Sequence, residues 1–148
     1  MATTTGTGGF SAAERKALKE RAAELRTEAE RPRGGKAAAE ELDVLEKIAA
    51  MDAGDRALAE RIHVIVTEHA PDLRPKLWYS QPAYARKGKV VCFFRSGVGD
   101  GERYSTFGFT PHAELDDESG VWVTSYAVRE LTADAERTIT ALVKRVAQ

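Results

Sequence analysis

The feature that most constrains this chain is an abrupt change of texture at Pro71. Before it the sequence is dominated by Ala, Glu, Lys, Arg and Leu; after it aromatic, β-branched and turn residues take over, and helical spacing returns only near the C-terminus. Residues that favour a one-faced helix and residues that favour a pleated sheet are thus segregated along the chain rather than alternated. The class this implies is α+β, with helices, then strands, then a closing helix. For 148 residues the expectation is one domain with one core, without length for a second catalytic domain.

The spacing predicts a helix over 11–30, opened by Ser11 and Glu14 as a capping box with Phe10 as its staple. Its only large aliphatics are Leu18 and Leu25, so the reading is a solvated arm lying loosely on the domain. Arg31, Pro32, Arg33, Gly34 and Gly35 end it as a turn or linker. A second helix over 37–51 carries Leu42, Leu45, Ile48 and Ala49 on one face. A third, capped by Asp52 or Asp55, presents Leu58, Ile62, Ile65 and Val66 and stops before Pro71.

Strands are expected near 76–80, 83–86, 89–95, 104–109 and 121–128, joined as hairpins with Gly88 in one tight turn and Asp100-Gly101 in a longer loop. The run Val90-Val91-Cys92-Phe93-Phe94 is apolar on both faces and reads as a central strand, with Cys92 a small buried residue. Thr132 caps a last helix bearing Ile139, Leu142, Val143 and Val146. The organisation is a disordered tail over 1–10, a charged helix and linker over 11–35, and a single domain over 36–148.

A net charge of −1 supplies no global field for nucleic acid or an anionic membrane, and no segment reaches the ~20 apolar residues of a membrane span. A single cysteine forms no intrachain disulfide, and the first ten residues lack the basic and apolar regions of a leader, so the expected address is cytoplasmic. The expected state is a monomer or homodimer.

Most chemistry-bearing patterns fail on context. The glycines around Ser96-Gly97-Val98-Gly99-Asp100-Gly101 precede a strand rather than a helix, so they read as a flexible hairpin loop, not a phosphate cradle. His63 and His69 diverge around their helix and suit no shared metal; the first reads as a flank residue, the second as a helix C-terminal histidine. Glu114, Asp116, Asp117 and Glu118 supply hard oxygen ligands but lack the spacing of a calcium loop, and read as a solvated acidic turn capping a short helical piece. No serine sits in a nucleophile elbow.

What stands out is the segment 76–84, with Trp78, Tyr79, Gln81, Pro82 and Tyr84, followed by Arg86. Gln81-Pro82 is expected to break a ladder and create a bend between two strands. Two readings of its rings stand: they line a site past the sheet edge, or they cover one end of the core.

The run from Met51-Asp52 through Ala70-Pro71-Asp72-Leu73 and Lys76-Leu77-Trp78-Tyr79-Ser80-Gln81-Pro82-Ala83-Tyr84 to Gly88-Lys89-Val90-Val91-Cys92-Phe93-Phe94 resembles the YdhG-like family of bacterial domains. Phe107-Gly108-Phe109 and Leu115-Asp116-Asp117 extend the likeness, which covers the chain from about Lys36 onward and leaves the leading helix as an addition. The resemblance implies a frataxin-like sandwich: a sheet of about five antiparallel strands packed by helices. One branch of that family is described as iron chaperones, which implies weak iron binding through exposed carboxylates.

Three functions follow as expectations. The first is a non-catalytic domain binding a small molecule or protein partner through Trp78, Tyr79, Gln81, Pro82, Tyr84 and Arg86, without a cofactor. The second is an iron chaperone using Glu114, Asp116, Asp117 and Glu118. The third is a small enzyme pairing Tyr79 or Tyr84, as an acid, with Arg86.

Overall fold

The computed structural model describes residues 12–30 and 35–147. The expected tail, Phe10 and Ser11 of the predicted helix start, and turn residues 31–34 lie outside the described residues. Helices α1 (Ala12–Ala29), α2 (Gly35–Ala49) and α3 (Ala53–His69) come first. They are followed by strands β1 (Arg74–Trp78), β2 (Gln81–Arg86), β3 (Lys89–Arg95), β4 (Ser105–Phe109) and β5 (Ser125–Val128), and by helix α4 (Ala133–Val146). The strands form one antiparallel sheet in the order β1-β2-β3-β4-β5. The α+β class read from the change at Pro71 is the class observed.

The predicted central strand is the middle strand, β3. Its register against β2 shifts between Tyr84 and Ala85, leaving Val91 unpaired there. That bulge resets the alternation, so Val91, Cys92 and Phe94 join the core under the helices while Val90 and Phe93 pack with Ala83 and Ala85 on the opposite face. Helices α2, α3 and α4 contribute Val44, Ile48, Ile62, Val66, Ile139 and Val143 to the same core. Outside, the Phe93 ring lies over Gly108, where an added Cβ would stand 2.6 Å from the ring.

The predicted break at Gln81-Pro82 falls elsewhere. The chain reverses at Tyr79-Ser80, a two-residue turn flanked by the pair Trp78 and Gln81, and Pro82 sits inside β2 opposite Leu77. Ladder bonds alternate along a strand, so the position after the turn-closing pair directs its amide away from β1. Pairing of β2 with β3 begins only at Ala83, and the missing proline amide therefore costs no ladder bond.

Two other expectations change. Asp52 is the N-cap of α3 but makes no side-chain cap bond, and Asp55 serves a distant loop instead. The leading helix is not a loose arm: Leu25 is buried with Ala38 and Leu45 of α2. Arg21 makes two hydrogen bonds of 3.0 Å to Glu41 of α2. Arg61 of α3 joins Glu14 of α1, at 3.3 Å, to Glu136 of α4, at 2.9 Å. An apolar cluster centred on Leu25, with Leu18, Ala22 and Leu42 packed against it, docks the helix, and the ion pairs flank that contact. At the other end of the chain, the Thr132 hydroxyl accepts the Ala135 amide at 3.1 Å, the cap expected for α4.

Candidate functional site

Three segments converge beside the β1–β2 turn: the end of α2 with the α2–α3 connection, the turn itself, and the loop after β3. Between them lies a cleft of about 290 Å³. Tyr79, Ser80, Gln81 and Pro82 form one wall, Lys47, Met51 and Asp52 another, and Arg95, Ser96 and Val98 the third.

The turn wall is conformationally unusual. Tyr79 has φ 51° and Ser80 φ 62°, the left-handed pair that a two-residue hairpin needs and that Asn-Gly normally supplies. Neither residue is glycine, so both hold that region at a steric cost. Tyr79 is 83% exposed, the most exposed large apolar side chain among the described residues. Its ring meets Trp78 edge-on at 4.9 Å, and Trp78 leans on Phe93 at 5.3 Å. Gln81 donates from Nε2 to the Trp78 carbonyl at 3.3 Å, which leaves its amide oxygen available at the cleft.

The loop wall is held from below. Asp55, buried in the first turn of α3, accepts hydrogen bonds from the Ser96 hydroxyl, from the Val98 amide at 3.0 Å and from the Ser105 hydroxyl at 3.1 Å. Ser105 accepts the Gly97 amide at 2.9 Å. Gly97 passes so close to β4 that a Cβ would fall 2.3 Å from the Tyr104 carbonyl oxygen, which is why glycine stands there. Arg95 closes the outside of the loop by pairing with Asp100 and, at 3.2 Å, with Glu102. The glycine-rich segment is a tied loop, not a flexible one.

Of the residues expected to bind, Tyr79, Gln81 and Pro82 border this cleft. Trp78 lies on the outer face of the sheet, partly buried against Phe93. Of the two readings of the rings, Tyr84 takes the core one and does not line the cleft: alternation along β2 turns it beneath the helices with no exposed area. There its hydroxyl shares a 2.9 Å hydrogen bond with His63 Nδ1, so His63 is a buried core residue rather than a flank residue. Burial drives the His63 imidazole down from its ordinary 6.5 to about 4 and lifts the Tyr84 phenol well above its ordinary range. Burial likewise lifts the Cys92 thiol, which makes it a poor nucleophile.

Arg86 does not border this cleft either. It pairs with Asp72 at 2.6 Å and donates to the Val146 carbonyl, clamping the end of α4 to the α3–β1 connection. It stands at the far end of β2 from the turn, about 16 Å along the strand at ~3.3 Å per residue, so Tyr79 and Arg86 share no substrate. The acidic residues Glu114, Asp116, Asp117 and Glu118 are exposed along the β4–β5 connection, which contains no helix. Asp117 accepts the Ser119 amide at 3.0 Å, and its contacts with Ser119 hold its carboxyl below the usual range. Among the described residues no three His, Cys, Asp or Glu side chains gather as a metal site.

Sequence reasoning missed Lys47, Asp52, Arg95 and Ser96, which reach the cleft from segments far apart in the chain. No spacing rule links them; the Asp55 bonds bring the loop to the helix. Among the described residues no helix is long and apolar enough to cross a membrane. Comparison with family models, with curated proteins and with solved structures finds no match to this chain.

Proposed function

We propose that this chain is a non-catalytic binding domain that holds a small ligand in the cleft beside Tyr79, Gln81 and Pro82. The observation that carries this reading is Tyr79: a large aromatic ring kept in a left-handed turn and left exposed at the mouth of a cleft. A residue that costs stability and buries nothing has the character of a contact residue. The cleft adds the Gln81 amide oxygen and the Lys47 ammonium, which makes no ion pair among the described residues, polar groups that orient a ligand over the apolar floor of Met51, Pro82 and Phe94.

The YdhG-like, frataxin-like reading of the fold belongs with this proposal. It is supported by the order of helices, five antiparallel strands and a closing helix, and by the motifs from Met51 to Phe94.

The test is a screen of fragment-sized aromatic acids and amides, read by amide shift mapping on the full chain. The expected outcome is a cluster of shifts at Ser80, Gln81 and Val98, with affinity for the best fragment reduced about tenfold, ~1.4 kcal/mol, in Tyr79→Ala. Fragments that bind equally well to Tyr79→Ala, or that shift only residues away from this cleft, would sink the proposal.

A further inference from the structure

A second opening lies between α1, α2 and α3, on the side of α2 away from Tyr79. Its volume is about 590 Å³, within the ordinary range of small-molecule sites. Leu18 and Ala22 of α1 and Leu45, Ile48 and Ala49 of α2 give it an apolar lining, and the small Ala22 and Ala49 leave unfilled the space a larger side chain would occupy. An apolar surface left without a neighbour forfeits dispersion contacts on that side.

The same stripe of α1 that presents Leu18 and Ala22 also presents Arg15, Lys19 and Arg26, at intervals of three and four residues. With Arg56 of α3, four cations border the cleft, against two carboxylates, Glu46 of α2 and Glu60 of α3. The carboxylates are claimed by Arg26, at 3.7 Å from Glu46, and by Arg15, at 3.1 Å from Glu60. Among the described residues Lys19 makes no ion pair, and Arg56 acts on Glu60 electrostatically without a direct ion pair.

The inner end of the cleft is polar and incompletely satisfied. Glu60 is only 6% exposed; Arg15 occupies its Oε2, while Oε1 is buried without a hydrogen-bond partner. Four residues earlier on the same helix face, Arg56 has its buried Nε without an acceptor. A buried polar atom left unpaired costs about 1–3 kcal/mol, and here two orphans of opposite kind belong to residues that line one apolar cavity.

We propose that this cleft binds a small carboxylate carrying an unbranched apolar chain, the carboxylate seated at Arg56 and Glu60 and the chain lying along Leu18, Ala22 and Ile48. The anion's charge meets the Arg56 guanidinium and Lys19, and a small shift of the Arg56 side chain brings its Nε–H onto the ligand. Glu60 completes the seat as the carboxylic acid, its Oε1 hydroxyl donating to the ligand while Oε2 keeps Arg15. Burial already raises this carboxyl against the pull of Arg15 and Arg56, and a second anion beside it raises it further. The groups facing it are Arg15, Lys19 and Arg26 from α1, Glu46 from α2 and Arg56 from α3. Binding therefore takes up a proton and tightens as pH falls. This site is separate from the cleft at Tyr79 and stands or falls without it.

The experiment is calorimetric titration of octanoate into the full chain, in two buffers of different ionisation enthalpy, with octan-1-ol and octylammonium as controls. The expected result is saturable one-to-one binding of octanoate with proton uptake, about tenfold weaker in Arg56→Gln, several-fold weaker in Lys19→Gln, and proton uptake lost in Glu60→Gln. Lys19 is exposed, so its variant decides the matter even if Arg56→Gln fails to fold. The proposal is overturned if octanoate shows no saturable heat, if octanol or octylammonium binds as tightly, or if Lys19→Gln binds octanoate unchanged.

Discussion

Two turns of the same sheet adopt the same backbone from different residues. Between β2 and β3 the reversal is Lys87-Gly88, with φ of 52° and 84°; between β1 and β2 it is Tyr79-Ser80, with φ of 51° and 62°. The first places glycine where no other residue sits comfortably, and nothing lies within 4 Å of a Cβ added there. The second places a β-hydroxyl residue there and a tyrosine before it, at the mouth of a cleft. Both turns hold a non-glycine residue at positive φ in the first position; in the second, the turn away from the cleft follows backbone preference and the turn beside it does not. Strain of this kind persists only where the surroundings over-determine the conformation, so the comparison is about what holds the cleft in shape.

The strongest way to break that comparison is through the opposite wall. Asp55→Ala removes the acceptor of three donors at once, including the Val98 amide. The expected loss is about 3 kcal/mol, measured as the shift in urea midpoint at constant slope. Asp52→Ala, at the cap position of the same helix and without a cap bond, is expected to change stability by less than about 0.5 kcal/mol. Equal effects from the two variants would mean that Asp55 acts only as a charge near a helix start, and that the loop wall is not fixed by it.

These carboxylates also show where sequence reasoning reaches and where it stops. Both were legible as cap candidates for α3, because the local signal is an acidic residue before a periodic apolar run. Which of them caps, and that the other ties a loop more than forty residues away, depends on tertiary contact that no local pattern contains. The strand order was readable from hairpin spacing, and β3 was readable as central. The choice between a surface and a core Tyr84 stayed open because its period-two phase was unknown until the turn was located: moving the bend from Gln81-Pro82 to Tyr79-Ser80 decides which rings face the helices. His63 was misread, since a buried histidine is recognisable only beside its partner.

That pair gives the next test, beneath the turn rather than across from it. His63 is neutral in the fold, with its pKa lowered to about 4, whereas in the unfolded chain it titrates near 6.5. The unfolded state therefore binds the additional proton, and stability present above about pH 6.5 is lost as pH falls toward about 4, by up to about 3 kcal/mol. Urea midpoints measured across this range should fall in the wild type and stay flatter in His63→Gln, which keeps a hydrogen-bonding partner for Tyr84. An identical slope in both proteins would assign the acid loss to other groups. If instead the loss tracks His63, the inner side of β2 is anchored independently of the strained turn.

The smallest expected effect is the most direct on the turns themselves. Gly88→Ala puts a Cβ on a left-handed residue with no compensating contact, and should destabilise by about 1 kcal/mol. Ser80→Gly runs the other way: it relieves the steric cost at φ 62° but adds freedom to the unfolded chain, so the net change is a stabilisation of at most about 0.5–1 kcal/mol. Opposite signs at equivalent turn positions would establish that the cleft-side turn departs from its own stability optimum. Ser80→Gly keeps the Tyr79 ring, so a fragment held by that ring should bind this variant less tightly only to the extent that the turn has become looser. A stabilised variant with unchanged fragment affinity would separate the two properties and leave the strain without a role in binding. A stabilised variant with weakened affinity would show that the serine holds the tyrosine in place for its ligand.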